Sequence, residues 1–112
     1  MHQTQTELAD GRGLAAAILR QRGDQIEVVC HSGFGQDGLK RESWPMKNSF
    51  AALILERGRT GYLQDAALRP ELEFPQAKSG PPMRSVLAAP LRVAGKPSGS
   101  LQIYDTSPRN WS

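Results

Sequence analysis

The sequence contains one cysteine, Cys30, in 112 residues. A lone thiol excludes an internal disulfide, a four-thiolate zinc site and a reactive pair with a resolving cysteine within one chain, and it fits a reducing compartment. Histidine is almost as scarce, with only His2 and His31. That leaves too few imidazoles for the converging donors of a haem or non-haem iron site. No stretch approaches the ~20 apolar residues that cross a bilayer, and the polar start Met-His-Gln-Thr-Gln-Thr-Glu does not fit a signal peptide. The reading is a cytoplasmic protein with no membrane insertion by this segment. Charge of one sign is also weak, since fourteen Lys and Arg against eleven Asp and Glu give a formal +3. The basic residues are scattered singly and lack interleaved aromatics, so no direct nucleic-acid partner is expected.

The chain has enough length for one apolar core. At roughly 100 to 200 residues per domain it is read as a single domain over 1–112, able to bury about two thirds of its unfolded surface. The stretch 13–31, GLAAAILRQRGDQIEVVCH, has two apolar runs flanking the turn-prone Arg22-Gly23-Asp24 and predicts a β-hairpin. Both faces of Leu14 to Leu19 are apolar, as in a central strand covered on both sides. Ile26, Val28 and Cys30 alternate with Glu27, Val29 and His31, and Cys30 is read as a small core hydrophobe. Arg22-Gly23-Asp24 spells an adhesion tripeptide, but in this hairpin it is turn chemistry.

A loop follows from Ser32 to Gly38, and Trp44-Pro45 ends a short helical turn over Leu39 to Glu42. The clearest helix comes next. Asn48 or Ser49 caps it, Phe50, Leu53, Ile54 and Arg57 recur at helical spacing, and Gly58 stops it. Free amides near Lys47 at its start offer an anion site. Thr60 to Leu63 predicts a short strand leading to Asp65. From Ala66 to Arg84 four prolines break any long element, leaving a functional lid or a disordered loop with a helical turn over Pro70 to Leu72. Ser85 to Tyr104 predicts a second hairpin, turning at Ala94-Gly95-Lys96-Pro97, in which Leu101 and Ile103 alternate with Ser100, Gln102 and Tyr104. Pro90, which lacks a ladder donor, belongs at a bulge or facing away from a neighbour. The class is α+β, a central antiparallel sheet of five to six strands with helices on one face and a pocket on the other.

The chain resembles a GAF domain, the small-molecule-sensing module of bacterial signalling proteins. The resemblance rests on Ala9-Asp10-Gly11-Arg12-Gly13-Leu14 before the first strand and on Gly61 to Asp65 after the helix. Its most specific block is Arg84-Ser85-Val86-Leu87-Ala88-Ala89-Pro90-Leu91 with Gly95 and Gly99-Ser100-Leu101. It implies a pocket walled by the central helix, the variable loop and the sheet beneath. Phe34, Trp44, Phe50, Tyr62, Asp65, Phe74, Met83 and Ser85 map to it, although buried aromatics are equally ordinary core residues. Asp65 resembles an aspartate such domains carry after the third strand, where it more often caps a turn than performs acid–base chemistry. Lys47-Asn48-Ser49-Phe50 is only a shuffled echo of the cyclic-nucleotide signature, and Cys30 is not placed like a bilin-bearing cysteine. Free methionine sulfoxide reductases share the fold but use several cysteines.

The resemblance therefore implies a non-catalytic regulatory domain of a sensor histidine kinase or transcriptional regulator. Such a domain binds a small molecule and relays the signal through dimer packing. The alternative is a ligand-free dimerisation module. No cofactor is assigned. About twelve residues precede the first strand and eight follow the last, too few for the long terminal helices of the family. One sheet face is expected to lack its cover, which points to a homodimer and to flanking signalling domains in a longer chain.

Overall fold

The computed structural model describes residues 14–111. The lead-in over 9–13 and His2 lie outside the described residues. Six strands form one antiparallel sheet: β1 (Ala15–Arg22), β2 (Gln25–Ser32), β3 (Ser43–Pro45), β4 (Gly61–Leu63), β5 (Ser85–Val93) and β6 (Lys96–Asp105). Their order is β3-β2-β1-β6-β5-β4, so the two hairpins meet along β1 and β6 at the centre. The class and strand number are those expected. Helix α1 (Phe50–Arg57) lies over the inner face, and its start and stop are those the sequence predicts. Ser49 Oγ accepts the Ala52 amide, and Gly58 at φ +67° closes the last turn.

Each hairpin closes on a two-residue turn that enters left-handed backbone, at Gly23 with φ +64° in the first. In the second, Ala94 and Gly95 stand at φ +54° and +79°. This two-residue turn matches strand twist, so Lys96 and Pro97 belong to β6 and not to the turn. Pro90 lies beyond the last β4 partner of β5, Ala88, and just before the irregularity at Leu91/Arg92. Its missing N–H therefore costs no bond to β4.

A bulge decides which residues of β2 face the core. Ile18 pairs with Cys30 but Leu19 pairs with Val28, so Val29 is the extra residue. One extra residue reverses the alternation. Val28 joins Leu19 on the inner face, whereas Cys30 joins Ile18 outside and is exposed, which corrects its reading as a core residue.

Three further expectations change. Ser43–Pro45 is an edge strand on β2, with Ile26 opposite Trp44, and Leu39 to Glu42 is no helical turn. The reason is cross-loop pairing: Leu39 bridges Ala77, Lys40 N–H donates to the Gln76 carbonyl at 2.9 Å, and Lys78 N–H to the Gly38 carbonyl at 3.0 Å. The same bonds hold the segment after β4 as a tied crossing, so it is not a free lid. It carries a 3-10 turn over Ala66–Leu68, capped by Asp65, and then the expected turn at Pro70, where Leu72 N–H donates to the Arg69 carbonyl at 3.1 Å.

The core lies between the inner sheet face and α1, and part of it is polar. Ser100, Gln102 and Tyr104 point inward and are fully buried, while Leu101 and Ile103 point outward. Small partners make the room, since Gln102 lies between Ala17 and Ala88, and Tyr104 between Ala15 and Val86. α1 comes close to β4 at Gly61, where an added Cβ would stand 3.0 Å from Ile54 Cδ1.

The outer face carries the opposite set. One row across the sheet reads Ser32, Ala16, Ile103, Leu87 and Tyr62, and the next reads Cys30, Ile18, Leu101 and Ala89. Leu14, Tyr62 and Leu101 are 41%, 46% and 40% exposed, and no helix covers them among the described residues.

Candidate functional site

Five of the eight candidate pocket residues are buried inside: Phe34, Trp44, Phe50, Phe74 and Met83. They meet one another around groups that the sequence reading did not single out. Tyr104 stacks on Phe74 at 6.0 Å between ring centroids and takes Phe34 edge-on at 5.5 Å. Its hydroxyl donates to Gln102 Oε1 at 2.6 Å, and Gln102 Nε2 donates to Ser100 Oγ at 3.2 Å. Burial pushes the Tyr104 phenol well above its ordinary pKa, so it remains a donor. Trp44 Nε1 donates to Ser49 Oγ at 3.1 Å, locking β3 onto the cap of α1. These rings occupy the volume between sheet and helix, where the resemblance places a ligand.

The other three candidates lie elsewhere. Ser85 faces the opposite side of the sheet, where its hydroxyl donates to the Ser107 carbonyl at 2.8 Å. Tyr62 stands on the outer face of edge strand β4. Asp65 accepts the Ala67 amide at 3.0 Å and a two-pronged bond from Arg84, Nε to Oδ1 and Nη2 to Oδ2, both at 3.0 Å. The backbone N–H of Ala67 first, and the Arg84 guanidinium second, hold its carboxyl below the usual aspartate range. This is the capping role weighed from sequence, strengthened by an ion pair that ties the 3-10 turn to the start of β5.

The start of α1 is less open to anions than the sequence implies. Phe50 N–H donates to the Glu73 carbonyl at 2.9 Å, Ala52 N–H to Ser49 Oγ at 3.4 Å, and Leu53 N–H to the Ser49 carbonyl at 3.2 Å. Beside it runs an open groove of about 700 Å³, with Lys47, Lys96, Glu56 and Gln21 among its lining and Leu53, Leu55 and Leu72 supplying apolar wall. A smaller cleft of about 100 Å³ opens at the other end of α1, against β4. Phe50, Leu53, Ile54 and Leu63 line it together with Arg57, Arg59, Thr60 and Arg69. Phe50 and Tyr62 are the two sequence candidates that reach it. The arginines were not among the candidates, because Arg69 joins Arg57 and Arg59 only through the fold. Among the described residues no group of three His, Cys, Asp or Glu side chains is placed to hold a metal.

The architecture matches solved structures across the chain. The GAF domain of a phosphoenolpyruvate-protein phosphotransferase from Acinetobacter superposes with a TM-score of 0.72 at 16% identity, covering 96% of this chain and 65% of its own. A type II free methionine-R-sulfoxide reductase from Thermoplasma acidophilum gives 0.71 at 12% identity, covering 96% of this chain and 72% of its own. The GAF domain of a two-component sensor histidine kinase from Bacillus halodurans gives 0.65 at 12% identity over 100% of this chain and 80% of its own. The fold is thus that of GAF domains. This chain spans just under two thirds of the length of the first of these structures. No family model matches the sequence, and no curated protein matches it. No helix among the described residues is long and apolar enough to cross a membrane.

Proposed function

We propose that this chain is the non-catalytic sensory domain of a cytoplasmic signal-transduction protein, either a sensor histidine kinase or a transcriptional regulator. It binds a small molecule beside α1 and relays the event through a homodimer to flanking signalling domains in a longer chain. The observation that carries the reading is the outer sheet face, where apolar rows from β1, β4, β5 and β6 have no covering element among the described residues of a GAF fold. Contiguous apolar surface of this kind is an interaction surface. A ligand at α1 acts on it only by binding one packing arrangement better than the other.

A second reading, a ligand-free dimerisation module, has its own support. The aromatic side chains and Tyr104 already fill the interior. Light scattering on size-exclusion fractions, combined with a thermal-shift panel of nucleotides, amino acids, organic acids and haem, separates the two. A saturable rise in melting temperature with a dimer supports the sensor. A silent panel with a dimer supports the module. A monomer at every concentration, unaffected by Leu101→Glu, rules out relay through the outer face.

A further inference from the structure

We propose that the cleft between α1, the free side of β4 and Arg69 binds a compact oxyanion, a phosphate-like or carboxylate group held by Arg57, Arg59 and Arg69. This rests on the sensory reading for its consequence and names the ligand class that such a sensor takes.

The local sequence builds half of the site. Arg57 ends α1, where the helix dipole favours a cation, and Gly58 then turns the chain through its left-handed position. Arg59 and Thr60 follow on the short path into β4, so both arginines line the same mouth. The tied crossing after the 3-10 turn brings Arg69 to the opposite lip. Only one of the three has a carboxylate partner: Arg69 Nε donates to Glu71 Oε2 at 2.7 Å. Arg57 and Arg59 take part in none of the ion pairs among the described residues. The cleft thus concentrates positive charge, whereas the other described arginines mostly lie in ion pairs.

Two further features favour an anion over water. β4 is the outermost strand among the described residues, and Gly61, Tyr62 and Leu63 of that edge strand all line the cleft. An unpaired strand edge presents backbone N–H groups as well as carbonyls. The floor of Phe50, Ile54 and Leu63 is buried and apolar. Charge-assisted bonds are stronger beside such a surface than in open water.

Size selects within the class. A cleft of about 100 Å³ is smaller than the roughly 300–1,000 Å³ of pockets that enclose drug-sized ligands, which suits a compact group such as phosphate or acetate. Guanidinium planes grip such groups with two parallel bonds each, which a chloride ion cannot reproduce. The wider groove at the start of α1 is a poorer rival, since Glu56 stands with Lys47 and Lys96 and the neighbouring amides are occupied.

The test titrates the chain with inorganic phosphate and, separately, with acetate at constant ionic strength against chloride, following backbone amide shifts and melting temperature. Saturable shifts centred on Gly61 to Leu63, with a dissociation constant on the order of 1 mM or below, are expected for at least one of the two. Arg59→Gln with Arg69→Gln should weaken binding about tenfold or more, and Lys47→Gln with Lys96→Gln should leave it unchanged. Arg57→Gln serves as a second probe of the same site. No saturation by about 20 mM, or saturation that the arginine variants leave unmoved, overturns the proposal. An uncharged compound that stabilises the chain while both anions fail also overturns it, yet leaves the sensory reading standing. Anion binding at the cleft without any change in oligomeric state supports the site and removes the relay.

Discussion

Tyr104 and Gln102 stand two residues apart on β6, both fully buried, with the tyrosine hydroxyl donating to Gln102 Oε1 at 2.6 Å. A strand that places Ser100, Gln102 and Tyr104 inward and Leu101 outward inverts the usual rule that apolar side chains face the core. The inversion is tolerated because each polar atom of the row meets another. Tyr104→Phe removes the donor and leaves Gln102 Oε1 buried without it, which should cost about 1–3 kcal/mol in urea denaturation. Adding Gln102→Leu to Tyr104→Phe removes the orphaned acceptor and should recover part of that loss. A single variant as stable as the parent would refute the account.

The sequence makes legible what is local. Ser49, the apolar spacing of Phe50 and Ile54, and Gly58 define α1 within ten consecutive residues, and each hairpin carries its own turn. What it missed depends on partners far along the chain. The inward turn of Gln102 and Tyr104 needs Ala15 and Ala17 on one neighbour and Val86 and Ala88 on the other. The outward turn of Cys30 follows from a bulge, a backbone event with no distinctive residue at Val29. The arginine cleft depends on a crossing pinned by Leu39, Ala77, Ser49 and Glu73, whose pairing no periodicity announces.

Ser49 does two jobs with one oxygen. It caps α1 through Ala52 N–H and accepts Trp44 Nε1–H, and it is 3% exposed. Ser49→Ala should lose the cap and strand the indole donor, a cost of about 2–3 kcal/mol against the ~1 kcal/mol of an exposed cap. The denaturation midpoint reports the stability. A red shift in tryptophan emission should accompany it if Trp44 loosens from α1.

Asp65 gives stability a pH dependence of known sign. Its folded carboxyl is held below the ordinary value, first by Ala67 N–H and then by Arg84, so folding favours the ionised form. Its contribution is complete above the unfolded value near pH 4 and is lost as pH falls through the lower folded value. Glu27, held down first by its bond from Arg20, acts in the same direction. Asp65→Asn should therefore be less stable than the parent at neutral pH, with the gap closing below about pH 4. A gap that stays constant with pH would show that the charge of Asp65 is not what stabilises the 3-10 turn.

Cys30 reports on the outer face directly. Its thiol is exposed beside Ile18, in the row that continues through Leu101 and Ala89. In dilute solution a disulfide-exchange reagent should titrate it at the rate of an unhindered thiol, and Cys30→Ser should change stability by no more than about 0.5 kcal/mol. A buried thiol would react only through unfolding and would slow in step with stabilising conditions. If a second copy covers this face, the reaction should slow as protein concentration rises, and Leu101→Glu should restore the dilute rate. Reactivity independent of concentration, in a protein that scatters as a dimer, would place the dimer contact away from the sheet.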